Sequence, residues 1–135
     1  MTSLDEVKES FEFLDEWSDR YRFLIELGNE LEPMPEALKV AEHKVKGCLS
    51  QVWLVGKRDG ERLQFLADSD AHIVRGLVRL VLLMHGDKSP REILSVDANA
   101  VLEELGLDKH LSPGRSNGLH SMIKRIRAIA EAHAA

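Results

Sequence analysis

The sequence predicts an α+β protein, a small antiparallel sheet of about three strands covered by helices. Three observations carry this expectation. Apolar residues recur at helical intervals up to Gly28, two β-favouring runs flank an Asp-Gly pair in mid-chain, and helical spacing returns from Ile73 onwards. No repeat, low-complexity tract or domain-splitting linker interrupts residues 1–135, which read as one domain.

Ser3 and Glu6 have capping-box spacing, and Leu4, Val7, Phe11 and Leu14 follow at helical intervals, so a first helix is expected there. Asp15 can cap a second helix that turns Trp17, Tyr21, Leu24 and Ile25 to one face and ends at Gly28. Pro33 and Pro35 enforce an extended connection. Val52–Val55 and Leu63–Leu66 read as a hairpin around residues 56–60, with His43–Lys46 as a third, edge strand whose lysines discourage outside pairing. Ile73, Leu77, Leu80, Val81 and Met84 then form one stripe, widened by Val74, Val78 and Leu82, and predict a central buried helix with Asp70 as its N-cap. A short helix is expected after Ser89-Pro90, another from Ala98 to Leu105 stopped by Gly106, and a last one after Pro113. That last helix buries Leu119, Met122, Ile123, Ile126 and Ile129.

The chain carries 18 basic and 23 acidic residues, a formal charge of −5, which argues against a dedicated nucleic-acid or anionic-membrane binder. The polar, acidic start Met1–Glu6 is unlike a signal peptide, and Arg75 and Arg79 break the strongest apolar stretch. A cytoplasmic protein of a bacterium-like cell is expected. One cysteine excludes an intramolecular disulfide and every metal or cluster site needing two thiolates from the same chain. The six histidines show no ligand spacing, so neither a metal nor a bound cofactor is expected.

Cys48 sits in Lys46-Gly47-Cys48-Leu49-Ser50-Gln51-Val52-Trp53, a turn between the expected edge strand and the first firm strand. Gly47 permits a backbone conformation closed to other residues. His43, Lys44 and Lys46 would favour the nucleophilic thiolate, whereas burial against Leu49, Val52 and Trp53 would disfavour it. Residue chemistry alone leaves two readings open, a small buried hydrophobe or a presented nucleophile.

Gly47-Cys48-Leu49-Ser50-Gln51-Val52-Trp53 resembles the active-cysteine loop of the SufE family, sulfur-accepting partners of cysteine desulfurases that include the CsdE branch. Asp68–Leu77 and His110–Leu119 match two further family blocks in the same order, and the similarity covers nearly the whole chain. The sequence departs at Leu49, where a polar residue is more usual, and at Gly114, where serine or another small residue is more usual.

The resemblance implies a SufE/IscU-like fold and a persulfide-accepting role for Cys48. The donor would be a SufS/CsdA-type desulfurase that carries the pyridoxal phosphate itself, and the sulfur would pass to a downstream iron-sulfur scaffold complex. It implies a sulfur-transfer protein that stimulates its partner, not a free-standing enzyme, with Gly47 as a hinge. The alternatives are a non-covalent activator of the desulfurase in which Cys48 merely packs, or a CsdE-branch carrier feeding other acceptors. Gly47, Ser50 and Gln51 are expected to support the loop. Arg115, a cation in the first turn of a helix, needs either an internal carboxylate or a docking partner, and Asp70 stands beside the loop, where it can influence loop mobility.

Overall fold

Ser3 accepts a hydrogen bond from the Glu6 backbone N–H at 3.2 Å, while the Glu6 carboxylate accepts from the Ser3 N–H at 3.3 Å. This reciprocal cap opens α1 (Leu4–Phe13) in the computed structural model, which describes residues 1–134. α2 (Trp17–Gly28) follows, with two single 3-10 turns at Glu36–Leu38 and Ala41–His43 in the connection to the sheet. β1 (Val52–Asp59) and β2 (Arg62–Ser69) pair antiparallel from Val52↔Ser69 to Asp59↔Arg62. Then come α3 (His72–His85), α4 (Pro90–Leu94), α5 (Ala98–Glu104), α6 (Leu107–His110) and α7 (Pro113–Ala134).

The α+β class is therefore as expected, but the named sheet has two strands, not three. Lys44 makes one isolated bridge to Trp53, and Val45 donates to the Val52 carbonyl at 2.8 Å, after which Gly47 at φ +87° turns the chain away. A strand cannot lengthen through a left-handed residue two positions on, so His43–Lys46 contributes only a bridge. The other edge is covered likewise, by Lys88 bridging Leu63. The strands are longer than their apolar cores, because residues 56–59 continue the ladder and the turn is Gly60-Glu61, with Gly60 at φ +64°.

α3 is the central helix, touching α1, α2, β2 and α7. Leu77, Leu80, Val81 and Met84 of its predicted stripe are buried, and Ile73 is partly so. Each fully buried leucine removes enough apolar surface from water to be worth about 1.5–3 kcal/mol. Two expected caps are replaced. The N-cap of α2 is Glu16, without a side-chain bond, and Gly28 is still helical, so its lack of a side chain serves packing. A Cβ there would stand 2.7 Å from the Gly76 nitrogen. Along α2, Leu24 and Leu27 are buried, whereas Ile25 is 38% exposed.

His85 ends α3, wholly buried, with Nδ1 2.8 Å from the Val81 carbonyl and Nε2 without a partner. Burial pushes its pKa down against that hydrogen bond, helped by the charges of Lys88 and Arg127. The unfolded chain thus takes up a proton near pH 6.5 that the folded chain refuses, so stability falls as pH drops below that value. The urea midpoint should fall from pH 7 to about pH 5.5, above the carboxylate range, and His85→Leu should flatten that slope. An unchanged slope in the variant would remove His85 from the account.

Candidate functional site around Cys48

The loop Gly47–Leu49 lies along a stripe of small residues on α7. Gly114, Gly118 and Ser121 recur at i, i+4 and i+7, one helical face. A Cβ on Gly114 would come within 2.3 Å of Leu49 Cδ1, and one on Gly118 within 3.3 Å of Cys48 Sγ. Gly47 packs so that its own Cβ would meet Ser121 Oγ at 2.7 Å. Small side chains let the loop backbone descend onto the helix, and the positive φ of Gly47 turns it there.

Cys48 is half-buried, with Sγ pointing at the Gly118 carbonyl 3.6 Å away. Burial pushes its thiol pKa up, so burial prevails over the nearby lysines and the resting group is the protonated thiol. Beside it lies an apolar cavity of about 30 Å³, lined by Leu49, Val74, Leu77, Gly118 and Met122 as well as Cys48 itself. Larger grooves of about 600 and 280 Å³ lie elsewhere and contain no thiol. The small one is the candidate site because the chain's single thiol lines it.

Asp70 is not the N-cap of α3. That position is Ala71, whose N–H reaches Ser69 Oγ, while the Asp70 carboxylate turns back to the cysteine loop. It accepts from the Gln51 backbone N–H at 3.0 Å and from Gln51 Nε2 at 3.2 Å, and the Asp70 N–H donates to the Gln51 carbonyl at 3.3 Å. These three bonds clamp the outgoing end of the loop to the start of α3. Behind the clamp, Asp68 pairs with Arg75 at 2.8 Å and Lys39 at 3.2 Å. Burial opposes its ionisation, but the Ser69 N–H and these two cations hold its carboxyl below the usual range.

Ser50 adjoins the cavity, and no side-chain hydrogen bond is found for it among the described residues. Arg115 is exposed at the cavity edge and has no ion pair among the described residues, so the internal carboxylate is not its partner. Gly47, Cys48, Ser50, Gln51, Asp70 and Arg115 therefore converge on one site. No group of three or more potential metal-ligating side chains is found among the described residues.

The model of the SufE family, an Fe-S metabolism associated domain, matches residues 5–130. The chain belongs to the SufE family. A SufE-like protein of Rhizobium meliloti (strain 1021) is 52% identical over 135 residues, covering 97% of this chain and 96% of that protein. One from Rhizobium etli is 49% identical over 139 residues, covering 100% and 94% respectively. In fold, the chain is similar to the solution structure of a hypothetical protein from Thermus thermophilus, with a TM-score of 0.77, 20% identity, and coverage of 96% of this chain and 94% of that one.

Within this SufE domain the two departures noted in the sequence face each other. Leu49 occupies the space that a side chain at position 114 would need. A bulkier residue in the loop is accommodated by an absent one on the helix. Sequence reasoning missed Gly118 and Ser121 as site residues. The available signal was the four-residue spacing of Gly114 and Gly118 inside a helix, where each glycine costs about 1 kcal/mol relative to alanine and so calls for a packing reason.

Proposed function

We propose that this SufE-family protein accepts sulfane sulfur on Cys48 from the persulfide of a pyridoxal-phosphate-dependent cysteine desulfurase and passes it on to iron-sulfur cluster assembly. The observation carrying this reading is a lone thiol on a glycine-hinged, hydrogen-bond-clamped loop, beside an apolar cavity large enough for about one added atom. In the transfer, the Cys48 thiol gives up its proton and its thiolate attacks the outer sulfur of the donor persulfide. The donor S–S bond breaks, the donor thiolate leaves and takes a proton, and Cys48 becomes a persulfide. One S–S bond replaces another with no net oxidation, so withdrawal of sulfur downstream gives direction.

The raised thiol pKa has a consequence for this step. A buried, protonated Cys48 is a poor nucleophile, and moving the loop off Gly118 exposes the sulfur and lowers the cost of ionising it. Gly47 is the hinge for that motion and the Gln51–Asp70 clamp opposes it. Leu49, Val74, Leu77 and Met122 would then shelter the loaded sulfur from water-borne reductants. The same reading implies a reducing cytoplasm, where a lone cysteine stays free.

The test is intact-mass analysis after incubation with a cysteine desulfurase and free cysteine. Added sulfur on Cys48, removable by a thiol reductant, supports the reading, and an unchanged mass overturns it. A second prediction concerns the clamp. Asp70→Ala removes the acceptor of two Gln51 hydrogen bonds. At a net value of about 0.5 kcal/mol for each of these exposed bonds, or about 1 kcal/mol for the pair, iodoacetamide should alkylate Cys48 about fivefold faster. An unchanged rate would show that the clamp does not hold the loop.

A further inference from the structure

Lys88 covers the outer edge of β2 at Leu63 only. Leu63 donates its N–H to the Lys88 carbonyl at 2.8 Å and accepts from the Asp87 N–H at 3.1 Å. Along an antiparallel ladder every second residue turns both backbone groups away from the paired strand, so Phe65 and Ala67 face the same way as Leu63. No backbone partner for their outward N–H and C=O groups is found among the described residues. Carried on, the Leu63–Lys88 register would set Gly86 against Phe65 and Met84 against Ala67. The chain is helical through His85, however, and the turn at Asp87, with φ +56°, brings it onto the edge only at Lys88.

This open stretch of edge forms one side of a cleft of about 280 Å³. Arg79, Leu82, Leu83 and Gly86, spaced i, i+3, i+4 and i+7 on α3, form the other, with Leu31 from beyond α2. Val74 and Leu77 line the Cys48 cavity instead, so the two sites lie on different faces of α3. Within the cleft Arg79 Nε is buried without a hydrogen-bond partner, and its guanidinium has no ion pair among the described residues. Of the neighbouring carboxylates, Glu30 accepts from the Thr2 N–H at 2.9 Å and Thr2 Oγ1 at 2.6 Å, and Asp87 accepts from Gln64 Nε2 at 2.9 Å. Glu32 stands exposed at the rim. An idle buried donor beside an unpaired strand edge is uncommon, and each asks for an acceptor that the chain does not supply.

We propose that the cleft between the β2 edge and α3 binds the C-terminal end of a partner polypeptide as a short added strand. The partner's amides pair with the outward groups of Phe65 and Ala67, its free carboxylate takes the Arg79 guanidinium, and its apolar last side chains rest on Leu31 and Leu82. A chain end suits the site better than an internal segment, because Lys88 occupies the ladder at Leu63 and the chain turns into α3 just after Ser69, which leaves only a short stretch open. Arg79 repels an N-terminal ammonium, and Glu32 at the rim disfavours a second acidic group. A partner tethered here leaves Cys48 free on the other face of α3, so the site stands whether or not Cys48 accepts sulfur.

The experiment titrates the full chain into a fluorescein-labelled peptide, Ser-Gly-Ser-Val-Val-Leu, and follows anisotropy. The peptide is used with a free C-terminal carboxylate and again as the C-terminal amide, and both are repeated with Arg79→Gln. Amide hydrogen exchange at Phe65 and Ala67, with and without the peptide, locates the binding. The expected result is saturable binding of the free acid, at least about tenfold weaker binding of the amide, and slowed exchange at both residues. Arg79→Gln should bind the acid about as weakly as the amide. The comparison of acid with amide is made on wild type, so it does not depend on the folding of the variant.

No saturable binding of the free acid up to about 1 mM, or equal affinity for acid and amide, overturns the proposal and leaves the sulfur-acceptor reading untouched. Binding that leaves exchange at Phe65 and Ala67 unchanged places the peptide elsewhere and overturns it as well. Self-association of the chain that the free-acid peptide competes away would assign the edge to a second copy and likewise overturn the proposal.

Discussion

Cys48→Ser is expected to leave the protein folded and to abolish sulfur loading. Serine is nearly the same size, the thiol is half-buried, and its one polar contact is a long 3.6 Å approach to the Gly118 carbonyl that a hydroxyl can also make. The thermal midpoint should therefore move by no more than a few degrees, equivalent to about 1 kcal/mol. Loading, in contrast, needs a thiolate to attack a sulfane sulfur, and a serine hydroxyl near neutral pH offers neither the anion nor a sulfur to share the new bond.

The same variant separates the competing roles. An acceptor loses both the added mass and any stimulation of the desulfurase. A non-covalent activator keeps stimulating the desulfurase without Cys48, and retention of full stimulation by Cys48→Ser would sink the acceptor mechanism. A free-standing thiol enzyme would instead show turnover of a small substrate with no partner present, and that activity would disappear in the variant.

Much of the helical framework is legible in the sequence because apolar spacing and caps are local signals. Ser3–Glu6 forms the reciprocal cap that its spacing announces, and Ser89-Pro90 opens α4 as expected, with Glu92 completing a second reciprocal cap there. The stripe on α3 is buried almost as written. The edge strand is not legible, because β-propensity at Val45 is local, whereas the left-handed turn at Gly47 that ends pairing is decided by the packing of that glycine against Ser121. Asp70 reads as a cap for a similar reason. Capping and loop-clamping use the same carboxylate at the same position, and the choice is made by Gln51, nineteen residues away in sequence.

The site is legible in part. The cysteine loop announces itself as a motif, and its resemblance to a family points to Cys48 as the candidate reacting group. The glycine face of α7 is not visible in that way, since Gly114 and Gly118 are helix positions that periodicity alone assigns to neither core nor surface. Their meaning lies in the loop that descends on them. Whether burial or the lysines govern the thiol is also open in the sequence, and the half-burial of Sγ against α7 settles its direction upwards.

Gly76→Ala is expected to be the most damaging single methyl addition outside the site. At this crossing α2 and α3 approach so closely that the new Cβ would lie 2.0 Å from the Leu24 carbonyl oxygen and 2.6 Å from its carbon. Alanine is favoured over glycine in a helix by about 1 kcal/mol, which acts in the opposite direction. Overpacking costs typically about 1–3 kcal/mol and occasionally more, and it is relieved most easily by a side-chain rotation. Here the obstacle is backbone, so the helices must separate, and a net loss of about 3 kcal/mol is expected. For a chain of 135 residues this corresponds to a fall in the thermal midpoint of roughly 10 °C. Ala128→Gly, at an exposed position on α7, should cost only the propensity difference of about 1 kcal/mol and serves as the reference. Because Val74 and Leu77 of α3 line the cavity beside Cys48, parting α2 from α3 also moves the wall against which the thiol rests. Faster alkylation of Cys48 in Gly76→Ala than in Ala128→Gly, at a temperature where both are folded, would show the helix crossing setting the shelter of the sulfur. An unchanged thermal midpoint in Gly76→Ala would contradict the close approach itself.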